Sequence, residues 1–238
     1  MPSWEIYSYF YSLSLRNLFP YRELLEDLNR ALDVKEAERI LDAGCGPGLV
    51  MEKIARANEG KRISITGLDF SERMIGQARS RCKNFGVRLL VADLNKNLEF
   101  PAGSFDKVVC SNTLYALESP RATVSEFHRV MKQGGVLVIA NPKPNANQKE
   151  IMRAHVRATN RTTPGYKRIY YVATSIILIP VNLAVMAINR VILEKGKKRE
   201  YHFLDKPALE SILREAGFKS VRTSSCYADQ NWLVRAEK

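Results

Sequence analysis

Between residues 38 and 141 the apolar and polar positions change period in a regular order. Short apolar or alternating runs, which suit strands, are separated by stretches whose apolar residues share one helical face. Arg39-Ile40-Leu41-Asp42 reads as a strand entering a glycine turn. Pro47 sits where the first turn of a helix would begin, and Leu49, Ile54 and Ala55 lie on one side of that helix. Ile63 to Asp69 alternates as a second strand ending on a carboxylate. Ser71 then caps a helix running to about Asn84, with Gly86 as its stop. Val87 to Ala92 is predicted as the third strand, with Asp93 at its end, and Phe105 to Ser111 as the fourth. A helix from about Pro120 to Lys132 stops at Gly134-Gly135, and Val136 to Ala140 makes the fifth strand. The pattern resumes at Asp205, a helix N-cap. The helix carries Leu209, Ile212 and Leu213 and ends at Gly217. Two terminal strands follow, near Lys219–Ser225 and Asn231–Ala236.

Strands alternating with helices predict a parallel sheet with helices on both faces, and with the two terminal strands the chain reads as an α/β fold: a doubly wound, Rossmann-like, seven-stranded sheet. Residues 35–141 and 205–238 make up this domain. Residues 1–34 precede it as a helical aromatic cap, and residues 142–204 interrupt it as a basic and hydrophobic helical insertion between the fifth and sixth strands.

The 238 residues, 45% of them hydrophobic, suit one large domain with a sizeable core. Four scattered cysteines, without a C-x-x-C pair or His/Cys ligand spacing, predict neither disulfides nor a metal site and fit a reducing cytoplasm. No charged segment followed by a clean apolar run opens the chain, so no cleaved signal peptide is expected. The net charge of +12 is concentrated: from Lys143 to Arg199 there are twelve Lys/Arg against Glu150 and Glu194 alone. Lys149, Arg153, Arg157 and Arg161 recur every four residues and would form a basic stripe on a helix. Ile151, Met152, His155 and Val156 would form its opposing surface.

From Ile169 to Asn189 run 21 residues without a charge, divided by Pro180 and flanked by Lys167-Arg168 and Lys195 to Arg199. The length is enough to span a bilayer. A crossing is nevertheless at odds with a last helix and strands that must return to the same sheet, so a hairpin or in-plane helix is expected. Trp4, Tyr7 and Tyr11 add an aromatic stripe near the start, with Phe19 close by. Basic, apolar and aromatic elements together suit the interface of an anionic membrane. A soluble lid or a dimer interface is the plainer alternative.

Gly44, Gly46 and Gly48 form a G-x-G-x-G turn between a strand and a helix N-terminus, where backbone can approach a ligand closely. The spacing differs from the dinucleotide G-x-G-x-x-G, and the lysine of a triphosphate loop is missing. Asp69, ending the second strand, can bind both hydroxyls of a ribose. Asp93, ending the third, can accept from an adenine amino group. All these positions fall at carboxyl ends of strands, where open α/β sheets bind ligands.

These segments resemble the class I S-adenosylmethionine-dependent methyltransferases, particularly the branch with the ubiquinone/menaquinone methyltransferases. The matching stretches are Ile40–Gly48, Gly67–Ser71, Val91–Leu94, Phe100–Asp106, Ser111-Asn112, Arg129–Gly135 and Glu215–Phe218. The resemblance implies S-adenosyl-L-methionine as cofactor. Gly44, Gly46 and Gly48 would line its methionine and ribose, with Cys45 and Phe70 among the contacting residues. Asp69 would bind the ribose hydroxyls, Asp93 and Leu94 would meet the adenine, and Asn112 would help hold the amino-acid end. Asp42 would order the glycine loop or reach the ammonium group through water. Where the family often places a histidine after the fourth strand, this chain has Tyr115-Ala116, so a histidine base is not implied. Tyr115 is instead the candidate catalytic residue touching substrate, ahead of His128, His155 and His202.

Methyl transfer from a sulfonium is an in-line displacement, for which the protein must align three atoms and keep the site dry. The expected acceptor is hydrophobic and lipid-like, such as a phospholipid headgroup, a quinone precursor or another amphiphile. Peripheral contact with an anionic membrane on its cytoplasmic face is expected with it. Alternatives are a soluble small-molecule methyltransferase with a hydrophobic lid, an RNA methyltransferase, and a cofactor-binding protein without catalysis. The RNA reading lacks the Asn/Asp-Pro-Pro-Tyr/Phe segment used on exocyclic amines, since the fourth strand leads to Asn112-Thr113-Leu114-Tyr115. Nucleic acid is therefore not an expected partner.

Overall fold

The computed structural model describes residues 18–162 and 201–238. The first aromatic stripe and the uncharged run from 169 to 189 lie outside them. Seven strands form one sheet: β1 (Arg39–Ala43), β2 (Ser64–Asp69), β3 (Arg88–Val91), β4 (Phe105–Ser111), β5 (Met131–Pro142), β6 (Lys219–Cys226) and β7 (Asn231–Glu237). Their spatial order is β3-β2-β1-β4-β5-β7-β6. The sheet is parallel from β3 to β5, but β7 runs antiparallel to both neighbours. The strands that alternate with helices are thus parallel, as that alternation predicts, and the two terminal strands make the sheet mixed. No helix separates β6 from β7, so the chain returns as a hairpin and the last strand inserts in reverse between β5 and β6.

Six helices accompany the sheet among the described residues: α1 (Phe19–Leu32), α2 (Leu49–Ala57), α3 (Glu72–Arg81), α4 (Pro120–Val130), α5 (Gln148–Thr162) and α6 (Lys206–Glu215). Side chains alternate across each strand, and the two resulting layers are separate. Ile40, Val109 and Val138 point into one layer, closed by Leu24, Leu28 and Leu32 of α1 and Met51 and Ile54 of α2. Leu41, Val108 and Ile139 point into the other, closed by Phe127 of α4 and Leu209 and Leu213 of α6. The doubly wound arrangement follows from this alternation.

Local signals set most of the boundaries. The Ser71 hydroxyl accepts the Met74 N–H at 3.3 Å, and the Asp205 carboxylate accepts that of Ala208 at 2.9 Å, so both predicted caps form. One boundary moves: α4 ends at Val130, and the predicted last helical turn instead opens β5, with Met131 already pairing Phe105. Gly134, at φ +74°, and Gly135, whose Cβ would press on the carbonyls of Lys132 and Asp106, let this extended stretch pass its neighbour.

Within the segment read as an insertion, the described residues form one helix, α5. On α5 Lys149, Arg153, Arg157 and Arg161 are exposed, while His155 and Thr159 are buried and Ile151 and Met152 pack onto the α1 layer. Val156 departs from expectation. It is 51% exposed and lies among the basic residues rather than opposite them. Lys143 is also no free surface charge. Its Nζ is held by Ser225 Oγ at 2.8 Å and Asp229 Oδ1 at 2.6 Å, over the Trp232 ring at 4.1 Å.

Because Leu24, Leu28 and Leu32 are fully buried, α1 is part of the core it covers. Leu28→Ala should destabilise the protein by about 2–5 kcal/mol, the range for truncating a buried leucine. Urea unfolding would read this as a lower midpoint, and an unchanged midpoint would contradict the packing described.

Candidate active site

At the carboxyl ends of the parallel strands lies a cavity of about 590 Å³. Its wall draws on the turns after β1, β2, β3 and β4, and on Tyr21 of α1 and Tyr201 at the end of the insertion. The turn after β1 is shaped by glycine. Gly44, Gly46 and Gly48 have φ of +78°, +51° and +82°, a region other residues enter only with strain. A Cβ on Gly44 would also overlap the Thr113 side chain, whose hydroxyl donates to the Gly44 carbonyl at 3.3 Å. The Pro47 expectation shifts slightly: Gly48 is the N-cap and α2 starts at Leu49.

Neighbouring turns hold the loop. The Leu68 carbonyl accepts the N–H groups of both Gly44 and Cys45, each at 2.8 Å. Asp69 accepts the Gly46 N–H at 2.9 Å on one oxygen and the Ser71 N–H at 3.0 Å on the other. Each oxygen keeps capacity for a further bond. Arg81, which the sequence reading did not single out, donates to the Pro47 carbonyl at 2.8 Å from the end of α3. No local motif marks such a contact between residues 34 positions apart.

Asp42 lies beneath this loop, 1% exposed, and neither carboxylate oxygen has a hydrogen-bond partner. Burial, with the nearby charge of Asp69 adding to it, pushes its carboxyl up to about 8. Burial raises Asp69 too, opposed by the two N–H groups it accepts. Two carboxyls so placed, beside a loop free of side-chain bulk, suit a ligand that brings positive charge close to backbone. A sulfonium cofactor with an ammonium group meets that description.

The other predicted positions gather around the same cavity. Asp93 accepts from both the backbone and the side chain of Asn95 at 3.0 Å, which closes the turn after β3, and Leu94 is buried beside it. Phe70 stands 55% exposed at the rim. Asn112 lines the wall in a left-handed conformation, φ +53°, and its Oδ1 accepts from Asn231 Nδ2 at 2.7 Å. Cys45 also lines it, but burial pushes its thiol far above the ordinary range, so it is no nucleophile.

Tyr115 lies in the short 3-10 turn Leu114–Ala116. It is stacked on Phe203 at 5.2 Å and 14° and lies 5.8 Å from the Tyr201 ring. Its carbonyl accepts the His202 N–H at 2.7 Å, which ties the end of the insertion to the turn after β4. Tyr21 and Tyr201 were not anticipated as wall residues; only the tertiary fold brings them to Tyr115.

None of the three histidines lines the cavity. His155 Nδ1 accepts the Phe19 N–H at 3.2 Å, and burial together with Arg22 lowers its basicity. His128 packs edge-on against Phe218. Among the described residues the wall carries no Lys, Arg or His, and its acidic side chains are Asp69, Asp93 and Glu118.

Comparison with known proteins agrees with this geometry. A family described as a methyltransferase domain matches residues 34–217. The chain is 26% identical over 196 residues to a demethylmenaquinone methyltransferase of Staphylococcus saprophyticus, covering 82% of this chain and 76% of that one. It is 34% identical over 107 residues to a phosphatidylethanolamine N-methyltransferase of Cereibacter sphaeroides, which covers 43% of this chain and half of the relative's length. The crystal structure of a SAM-dependent methyltransferase from Aquifex aeolicus superposes with a TM-score of 0.62 at 18% identity, covering 95% of this chain and 97% of that one. The glycine loop over a buried carboxylate thus sits in a matching fold and within the matched family region, and the chain belongs to the class I S-adenosylmethionine-dependent methyltransferases.

Proposed function

We propose that this methyltransferase binds S-adenosylmethionine in the cavity described and transfers its methyl group to a hydrophobic, lipid-like acceptor at the surface of an anionic membrane. The observation that carries the binding site is Asp42, a buried carboxyl with both oxygens unpartnered beneath a loop whose Gly44 leaves no room for a side chain. Gly44 to Gly48, with Cys45 among them, would hold the methionine and ribose. Asp69 would use its remaining capacity on the ribose hydroxyls. Asp93 and Leu94 would meet the base, Phe70 would cover it from the rim, and Asn112 would hold the amino-acid end.

When bound, the cofactor supplies an electrophilic methyl group on a positive sulfur. The chain's part is to align the acceptor with that methyl and to exclude water. Tyr115, pinned by Phe203 and by the His202 backbone, is oriented to touch the acceptor, with Tyr21 and Tyr201 completing an aromatic wall. A wall without a described basic side chain favours an acceptor whose reacting end is not anionic. The demethylmenaquinone and phosphatidylethanolamine relatives support a hydrophobic acceptor without choosing one.

Membrane contact is supported by the exposed face of α5, where Val156 stands among Lys149, Arg153, Arg157 and Arg161. No helix among the described residues is long and apolar enough to cross a membrane. The basic face of α5 is read as a peripheral contact with anionic lipid at the cytoplasmic face.

Incubation of the protein with methyl-labelled cofactor and whole-cell extract, followed by organic/aqueous partition, tests the acceptor. Label is expected in the organic phase. Label confined to the aqueous or RNA fraction would overturn the lipid-like reading.

Exchanging Arg153, Arg157 and Arg161 for Gln should abolish most sedimentation with vesicles containing anionic lipid and leave cofactor affinity unchanged. Equal sedimentation by the variant would remove α5 from the membrane reading.

Asp42 yields a pH dependence of definite sign. Its carboxyl titrates near 8 when folded and near the ordinary ~3.9 when unfolded, so the folded state holds the proton more tightly. Its contribution to the stability of the cofactor-free protein is therefore present in acid and lost progressively as pH rises to about 8. Asp42→Asn should raise the Tm of the cofactor-free protein at pH 8 more than at pH 5, while weakening cofactor binding. A Tm difference independent of pH in scanning calorimetry would refute it.

A further inference from the structure

The geometry points to Asn231 as a positioning residue for methyl transfer, acting through Asn112 to fix which side of that amide faces the cofactor. The inference rests on the reading above, in which Asn112 meets the amino-acid end of S-adenosylmethionine.

Asn231 is 2% exposed, the first residue of β7, and does not itself line the cavity. Its Nδ2 crosses the end of β5 to donate to Asn112 Oδ1, a residue 119 positions earlier. A primary amide has one acceptor oxygen and one donor nitrogen. Engaging the oxygen orients Asn112 so that Nδ2 is the group left for a ligand. The Asn112 main chain is held at the end of β4, its N–H donating to the Ala140 carbonyl at 2.8 Å and its φ at +53°.

The polarity of that presentation is consequential. The described wall has no cationic side chain, so among the described residues the donors available to the carboxylate end of the cofactor are neutral. A carboxyamide nitrogen at the end of β4 is such a donor. A reversed amide would present an oxygen and repel the same carboxylate.

The turn before Asn231 is built to hold it in place. Tyr227, Ala228 and Asp229 have φ of 54°, 54° and 64°, three consecutive non-glycine residues in the left-handed region. Such strain persists only where surrounding contacts over-determine it. Here Lys143 Nζ grips Asp229 Oδ1, the Gln230 carbonyl accepts the Lys143 N–H at 2.9 Å, and Gln230 Nε2 donates to the Ala228 carbonyl at 3.0 Å. These contacts start β7 at Asn231, opposite Pro142 at the end of β5.

The test is Asn231→Asp, which keeps size and shape but can only accept when ionised. It should turn Asn112 so that its nitrogen faces the carboxylate and its oxygen the cavity. Calorimetric affinity for S-adenosylmethionine and for S-adenosylhomocysteine should each fall about tenfold, the size of one hydrogen bond. KM for the cofactor should rise with little change in kcat. Asn112→Ala is measured alongside, as is the double variant with Asn231→Asp, which should bind no more weakly than Asn112→Ala alone. If Asn112→Ala itself leaves affinity unchanged, the placement of Asn112 at the cofactor is wrong. If Asn112→Ala weakens binding while Asn231→Asp lowers only Tm, or changes neither, the positioning role is overturned.

Discussion

One carbonyl closes the loop on which the site depends. Leu68, near the end of β2, accepts two successive N–H groups from Gly44 and Cys45 and so bends the chain sharply as it leaves β1. The bend requires positive φ at Gly44, and Thr113 from the end of β4 fills the space where a side chain would stand. The ends of β1, β2 and β4 are thereby locked to one another before any ligand is considered. Asp69, one residue beyond Leu68, continues the same tie to Gly46. Parallel strands supply the register for this, because Ala43 lies opposite Leu68. The sheet order therefore acts on chemistry directly: with β1 between β2 and β4, the turns after all three meet at one cavity.

The electrostatics of that cavity oppose those of the protein as a whole. The chain carries +12, yet the described wall has acidic side chains and no basic ones. Asp42, beneath the loop and not part of that wall, is a further acid, and burying a carboxyl without partners is unfavourable for the charged form and raises its pKa. A structure evolved for stability alone would place an apolar residue there. Retaining the acid is understandable if a cation arrives to neutralise it, which links the strain of the ligand-free state to the charge of the ligand. Lys149, Arg153, Arg157 and Arg161 meanwhile are exposed on α5 and do not line the wall, so they do not oppose a cationic cofactor there.

Much of this was legible in the sequence because it is local. A strand followed by a glycine turn, a strand ending in Asp and a Ser cap are patterns of a few residues, and Asp42, Gly44, Asp69, Asp93 and Asn112 do converge. What escaped has the opposite character. Tyr21, Tyr201, Arg81 and Asn231 reach the site, or the loop around it, across long separations, with no period or motif to announce them. The β5 boundary was missed because Arg129-Val130-Met131-Lys132 carries a helical spacing, which pairing of Met131 with Phe105 overrides. Val156 was misplaced for a geometric reason: it follows His155 by about 100° around the helix, which is enough to carry it from the buried side to the basic side.

The division of labour in the wall has a consequence for specificity. The turns that would hold the cofactor come from the sheet, whose register leaves them little freedom. The tyrosines come from α1, from the turn after β4 and from the end of the insertion, three segments outside the sheet. Changes in those segments can alter the aromatic part of the wall without disturbing the Leu68 and Asp69 ties. Tyr115 is where the two systems touch, since its turn begins directly after Thr113 and its ring stacks on Phe203. An acceptor lying against Tyr115 would thus be located relative to the glycine loop through two residues of chain, a short and stiff path. That is the geometric requirement for an in-line displacement, in which small errors between nucleophile, methyl and sulfur are costly.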